Sequence, residues 1–149
     1  MKSILIVGGA GYVGGITTDL LLKKGFDITV FDNLLYESRF LKSCNFIYGD
    51  IRATQKIVDI SANFDEILWL AAIVGDGACA QSPELTKEIN ENSLARFLNK
   101  AKRRIIFTST CSVYGAQNIT LGESSDVNPL SLYASTKLRS EEKVLQNGG

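Results

Sequence analysis

Two groups of residues in this sequence have the types and spacing to do chemistry. The first is Tyr133 followed four positions later by Lys137, within Tyr133-Ala134-Ser135-Thr136-Lys137. On a helix, positions four apart share a face, so the phenol and the ammonium would stand side by side. A cation beside a phenol favours its ionised form, which an acid or base catalyst working near neutral pH requires. Upstream, Ser109, Thr110, Cys111 and Ser112 gather hydroxyls in one short run. Thr110 would hold a substrate oxygen by a hydrogen bond while Tyr133 exchanges its proton and a hydride leaves or returns. Taken alone, a Tyr/Lys pair at this spacing is equally an exposed helix contact.

The second group makes the difference. Gly8, Gly11 and Gly14 fall three apart directly after Ser3 to Val7, a short and mostly β-branched apolar run that reads as a strand buried on both faces. Glycines here let the chain turn sharply, approach a ligand closely and pack a following helix onto the strand. From Tyr12 to Lys24 the apolar residues Val13, Ile16, Leu20 and Leu21 recur at helical spacing, and Gly25 ends the helix. The helix start, with unpaired N–H groups and a positive dipole end, would receive a diphosphate. Ile28 to Phe31 reads as a second buried strand with Asp32 at its C-terminal end. A carboxylate there accepts both hydroxyls of an adenosine ribose and repels a 2′-phosphate, which favours NAD over NADP. The glycines alone would fit a turn in some other α/β protein; strand, glycines, helix, strand and acid in order within about 30 residues point to a dinucleotide.

The elements that must position these groups alternate along the chain. Asn33 to Ser43 reads as a loop or short helix over the adenosine end, and Asn45 to Gly49 as a third strand. Asp50 follows, where a carboxylate would accept the adenine amino group beside the Ile51 backbone, although a plain strand-ending aspartate looks the same. Thr54 to Ala62 forms a weak helix and Glu66 to Ala72 a central strand. Ile73 to Ser82, rich in glycine and small residues, reads as a loop at the ligand-binding edge of the sheet. Pro83 suits the first turn of a helix capped by Ser82 and running to Lys102, with Leu85, Ile89, Leu94, Phe97 and Leu98 on its apolar side. Arg103 and Arg104 read as solvated charges before a fifth strand, Ile105 to Thr108, and the last helix runs from the Tyr133 segment to about Gln146. Such alternation predicts an α/β fold with a parallel sheet and right-handed crossovers.

Composition sets the outer limits. The 149 residues suit one domain, and 45% hydrophobic residues supply a core. Sixteen basic residues balance sixteen acidic ones, which gives no general attraction to nucleic acid or to an anionic membrane. The apolar start is too short for a signal peptide's core or a membrane span, so the expectation is a cytoplasmic protein. Cys44, Cys79 and Cys111 share no metal-ligand spacing and read as free or buried thiols, and no metal site is expected. The chain contains no histidine, which excludes histidine bases and Ser–His–Asp triads.

GGAGYVG near the N-terminus, Asp32-Asn33-Leu34, Asp50-Ile51-Arg52, Leu70-Ala71-Ala72, STCSVYG and YASTK together resemble the extended short-chain dehydrogenase/reductase family, in its NAD-dependent nucleotide-sugar epimerase/dehydratase branch. The resemblance runs through essentially the whole chain. It implies a Rossmann-like doubly wound sheet of order 3-2-1-4-5 over residues 1–149, with NAD held by Gly8, Gly11, Tyr12, Val13, Gly14, Asp32, Asn33, Asp50, Ile51, Leu70, Ala71 and Ala72. It also implies Asn90 near the site and Thr110, Tyr133 and Lys137 as a catalytic trio, the last two touching the cofactor as well. Members of this branch transiently oxidise a sugar hydroxyl of a nucleotide sugar, and many dimerise through the helices that here span 85–102 and 131–146.

Three departures refine the expectation. Val7 stands where many members have threonine. Cys111-Ser112 replaces the Asp-Glu pair of sugar-nucleotide 4,6-dehydratases, so an epimerase or a keto-sugar reductase fits better than a dehydratase. The chain ends at Gly149, where related proteins continue into a smaller C-terminal domain that binds the nucleotide sugar. This leaves a non-catalytic dinucleotide-binding module, or half of a two-chain enzyme, as the alternative. It also leaves the fifth strand as a sheet edge, expected to be covered by a second copy, by a separate chain or by rearranged C-terminal residues.

Overall fold

Ile4, Leu5, Ile6 and Val7 are all buried, as in a strand with packed layers on both faces. In the computed structural model, which describes residues 1–148, that strand, β1 (Ser3–Val7), is the centre of a five-stranded sheet. Around it lie β2 (Asp27–Asp32), β3 (Asn45–Tyr48), β4 (Glu66–Trp69) and β5 (Ile106–Phe107), all parallel, in the order β3-β2-β1-β4-β5. This is the doubly wound order that the family resemblance implies. Strand order reverses between β1 and β4, so a crevice opens beyond their C-terminal ends.

Helices α2 (Thr54–Ser61), α5 (Ser93–Ala101) and α6 (Leu132–Gln146) bury one face of the sheet. Leu5, Val7, Ile67 and Trp69 from the strands meet Ile57, Leu94, Phe97 and Val144 there. The Trp69 and Phe97 rings lie 5.0 Å apart and tilted, an arrangement that contributes about 1 kcal/mol beyond burial. On the other face, α1 (Tyr12–Lys23) sets Leu21 and Leu22 against Ile4, Ile6, Ile28 and Val30. Its most buried positions are Gly14 and Thr18. Val13, Ile16 and Leu20, part of the apolar stripe that marked the helix in the sequence, are instead half exposed.

Segment 33–43 takes the loop form of the two expected, pinned by Phe40 stacked on Phe46 at 4.7 Å. Other elements depart from expectation for local reasons. Strand β4 ends at Trp69, because the Leu70 and Ala71 N–H groups both turn to the Val7 carbonyl, and β5 is only two residues long. The supposed loop after β4 contains α3 (Asp76–Gln81). The long helix after Pro83 is interrupted: α4 (Pro83–Lys87) passes into a π turn at Glu88–Asn92 before α5. Ser82 occupies the cap position, but its side chain makes no capping bond. Arg103 is not a freely solvated charge either; its guanidinium donates to the carbonyls of Phe64 and Asp65.

Candidate functional site

The crevice between β1 and β4 holds a cavity of about 430 Å³. Of the residues expected to hold a dinucleotide, Gly8, Gly11, Tyr12, Val13, Gly14, Asp32, Asn33, Ile51, Leu70, Ala71 and Ala72 line it. Asp50, Asn90, Thr110, Tyr133 and Lys137 do not. Leu34, Leu35 and Tyr36 also line it. The sequence placed their segment over the adenosine end and Leu34 in the Asp32-Asn33-Leu34 motif, but did not single them out as cofactor contacts.

The three glycines have different physical reasons. Gly8 has φ +83°, and a Cβ on it would lie 2.5 Å from the Ala71 backbone nitrogen. Gly14 would carry its Cβ 2.5 Å from the Gly9 backbone, so α1 could not pack so closely on the turn. Both are demanded by the fold itself. Gly11 is different: a Cβ there meets nothing nearer than the Gly8 carbonyl oxygen at 3.6 Å. The protein leaves this position open, on the wall of the cavity. Gly11 is also the N-cap of α1 and no side chain caps the helix, so the amides of Tyr12, Val13 and Gly14 lack acceptors within it. A cradle of free amides with room for close approach suits a diphosphate.

Asp32 and Asp50 both follow strands, yet their surroundings differ. The Asp32 carboxylate accepts the Ala10 N–H at 3.1 Å and the Leu34 N–H at 2.8 Å, which ties the glycine turn to the end of β2. Two of its roughly four acceptor positions are used, so it retains capacity for a ligand. Asp50 accepts the backbone N–H and Nε of Arg52 on one oxygen, both at 2.9 Å. Its other oxygen accepts Nη2 of Arg52 at 2.7 Å and Nδ2 of Asn33 at 3.2 Å. The hydrogen bonds from the Arg52 side chain hold the Asp50 carboxyl at about 2, below its ordinary 3.8.

Asn90 sits in the π turn, buried, with both ends of its amide committed. Its Oδ1 accepts the Ile73 N–H at 2.7 Å, and its Nδ2 donates to the Ile73 carbonyl at 2.9 Å and to the Thr136 hydroxyl at 3.4 Å. The Asn90 carbonyl in turn accepts Ser140 Oγ at 2.6 Å. Asn90 thus clamps the cavity wall after β4 to α6, the helix that carries Tyr133 and Lys137.

The hydroxyl cluster forms a second, more open cleft beyond β5, lined by Phe107, Ser109, Thr110, Cys111, Tyr114 and Glu141 among others. Thr110 begins a 3₁₀ turn at Cys111–Tyr114, and its Oγ1 accepts the Ser112 N–H at 3.2 Å and bonds Ser112 Oγ at 3.2 Å. Ser131 caps α6 by accepting the Ala134 N–H at 3.1 Å, which places Tyr133 in the first turn. Lys137 is buried to 3% exposure, with Nζ 3.9 Å from the centre of the Phe107 ring. Among the described residues no hydrogen bond joins it to Tyr133; the aromatic face supplies its partner instead. Burial lowers the Lys137 ammonium to about 8 from 10.5, opposed by nearby Glu141. The three cysteines are free, and no cluster of metal-binding side chains occurs among the described residues. No described helix is long and apolar enough to cross a membrane.

Comparison with known proteins agrees with this geometry. The family model described as NAD dependent epimerase/dehydratase family matches residues 4–147. A UDP-glucose 4-epimerase of Rhizobium meliloti is 31% identical over 99% of this chain and 47% of its own length. A UDP-arabinose 4-epimerase of Arabidopsis thaliana is 31% identical over 95% of this chain and 38% of its own. The crystal structure of a UDP-glucose 4-epimerase from Brucella ovis in complex with NAD superposes with a TM-score of 0.90 at 27% identity, covering 98% of this chain and 47% of that one. The chain therefore spans less than half the length of these relatives.

Proposed function

The chain belongs to the NAD dependent epimerase/dehydratase family, and on that premise we propose that it binds NAD in the crevice between β1 and β4 and serves the epimerisation of a sugar nucleotide. The observation that carries this reading is the open side of Gly11 beside the unpaired amides of Tyr12, Val13 and Gly14. A dinucleotide fits these residues: the diphosphate against that turn, the adenosine ribose on the spare acceptors of Asp32, and the base near Asn33, Asp50 and Ile51. Leu70, Ala71 and Ala72 form the wall leading toward the hydroxyl cluster. Relatives named as UDP-glucose and UDP-arabinose 4-epimerases support a UDP-sugar as substrate.

Bound NAD supplies an acceptor and later a donor for hydride. The chain's own residues handle the oxygen and its proton. Thr110 fixes the sugar hydroxyl by a hydrogen bond, and Tyr133 takes its proton as the carbonyl forms, then returns it when the hydride comes back. Lys137 provides a cation one turn along α6. Asn90 acts as a positioning residue, since its amide is spent on Ile73 and Thr136.

Tyr133→Phe removes the acid-base oxygen while keeping the ring. We expect reduction of bound NAD by an added UDP-sugar to fall at least ~100-fold, with NAD affinity changed less than about twofold since the phenol is outside the cavity. Undiminished reduction in this variant would sink the assignment. A second reading, a dinucleotide-binding module without catalysis, is favoured by the Lys137 ammonium resting on Phe107 rather than on Tyr133. It requires NAD binding with no reduction by any UDP-sugar, whether the chain is alone or paired.

The partner expectation carries over as part of this proposal. Among the described residues β5 pairs only with β4. We place a further strand on its free edge, supplied to this 149-residue chain by another copy or by a separate polypeptide carrying the remaining part.

A further inference from the structure

Laterally paired residues of a sheet share a face, and the row Val30, Ile6, Leu68, Ile106 crosses four strands on the side that α1 packs against. Val30 and Ile6 are fully buried, Leu68 is half-buried and Ile106 is 55% exposed. Cover is lost toward β5 because α1 lies over β1 and β2, while α2, α5 and α6 pack on the opposite face. What remains is an apolar groove over β4 and β5, floored by Leu68, Leu70 and Ile106. Two strands make it about 10 Å wide, the width of one helix. Helix α1 has apolar residues on two sides. Gly14, Thr18 and Leu21 face its own sheet, whereas half-exposed Ile16 and Leu20 lead to exposed Lys23 at the same i, i+4, i+7 spacing on the far side.

The groove and the outer stripe of α1 match each other. Because α1 connects the parallel strands β1 and β2, it runs antiparallel to them, so Lys23 lies level with the N-terminal ends of the strands and Ile16 nearer their C-terminal ends. On the groove floor Glu66, Leu68 and Leu70 rise over about 13 Å at strand spacing. Lys23, Leu20 and Ile16 rise over about 10 Å at helix spacing. A twofold axis along the strands keeps these heights, and sets Lys23 of one copy against Glu66 of the other, Leu20 against Leu68 and Ile106, and Ile16 against Leu70. Glu66 bonds Lys2 through one oxygen, at 3.1 Å, which leaves the other available. From this we propose that two copies of the chain form a symmetric dimer, the α1 of each lying in the groove over β4 and β5 of the other. Such a contact is self-complementary and closes at two copies. It uses the face of β5 and leaves its hydrogen-bonding edge free for a further strand. The helices expected to dimerise, over 85–102 and 131–146, offer less. Glu91 there is already paired with Arg139 and Lys143 of its own copy, and the large apolar side chains they expose, among the described residues, are Leu85 and Leu145.

Sedimentation velocity over the micromolar range tests this on the unsubstituted chain and on Leu20→Glu and Lys23→Glu, both at exposed positions outside the NAD crevice. The unsubstituted chain is expected to sediment as a dimer. Leu20→Glu is expected to raise the dissociation constant at least about tenfold, since one substitution removes an apolar side chain from both seats. Lys23→Glu is expected to raise it at least about threefold, and Glu66→Lys added to Lys23→Glu is expected to restore the original value, because the reversed pair regains opposite charges. A monomer throughout the range would overturn the proposal. A dimer indifferent to Leu20→Glu would overturn it too, and would place the contact at the β5 edge or elsewhere. So would a Lys23→Glu variant that associates as the unsubstituted chain does, or one whose weakening Glu66→Lys fails to rescue.

Discussion

Lys137 keeps an ammonium where water is almost excluded, with an aromatic ring rather than a carboxylate as its nearest partner. Its proton affinity is lowered by burial, to about 8 against 10.5 in an unfolded chain. Between these values the unfolded chain binds more protons than the folded one, so stability from this group rises with pH across that window and its burial cost is complete below it. Lys137→Met is therefore expected to be more stable than the unsubstituted chain at pH 7, by up to roughly 3 kcal/mol, with the advantage shrinking toward pH 10. Urea unfolding of both proteins across that range checks this; a difference independent of pH would contradict it. At this scale the sequence displayed residue types but not their neighbours. The three-residue glycine spacing was legible, whereas the split between Gly8 and Gly14, which the fold requires, and Gly11, which only a ligand would, depends on Ala71 and Gly9 approaching them in space. Asp32 and Asp50 were likewise indistinguishable as strand-ending acids. The difference lies in Arg52, whose side chain folds back onto Asp50.

At the scale of elements, the π turn at Glu88–Asn92 is the feature that joins the two halves of the site. An extra residue in the turn leaves backbone groups to be satisfied from outside, and Ser140 answers the Asn90 carbonyl. Glu91 within the same turn pairs with Lys143 and Arg139 of α6, at 2.9 and 3.2 Å. Asn90→Leu would strand the Ile73 N–H and carbonyl without partners in a buried place. We expect it to destabilise the chain by about 3 kcal/mol, read as a lower thermal midpoint, and to weaken reduction of NAD by UDP-sugar more than NAD binding. Equal stability of this variant would show that the clamp is dispensable. Apolar spacing across 83–102 predicted a helix and could not show its widening, because periodicity changes little when one turn gains a residue. The length of β4 escaped for a related reason. Leu70 and Ala71 are as apolar as the strand before them, and only the pull of their N–H groups to Val7 ends it.

Across the whole molecule, a parallel sheet with right-handed crossovers followed from alternating buried strands and helices, while the strand order came from the resemblance to the family. The alternation was legible because each apolar run is short and cleanly bounded. The uneven ends of the sheet were less so. Strand β3 is flanked by the packed 33–43 segment, while β5 is two residues long, and its Ile106 is 55% exposed. Half-exposed Val13, Ile16 and Leu20 on α1 add to the uncovered apolar surface. An edge of this kind invites strand pairing. Sedimentation of the purified chain is expected to show self-association at micromolar concentration unless a companion chain is supplied, and Ile106→Lys is expected to abolish either association while leaving NAD affinity intact. A stable monomer of the unsubstituted chain, with Ile106 and Phe107 open to solvent, would refute this part of the account.

The most direct measurement is a calorimetric titration with NAD of the nucleotide-free chain beside its Gly11→Ala variant. One NAD per chain is expected for the former and affinity reduced at least about tenfold for the latter, whose added methyl occupies the approach to the turn and meets the protein only in ordinary contact with the Gly8 carbonyl oxygen at 3.6 Å. The two are also expected to have the same thermal midpoint in the absence of NAD. No NAD binding by the unsubstituted chain, or equal affinity in both, would contradict the NAD-binding reading.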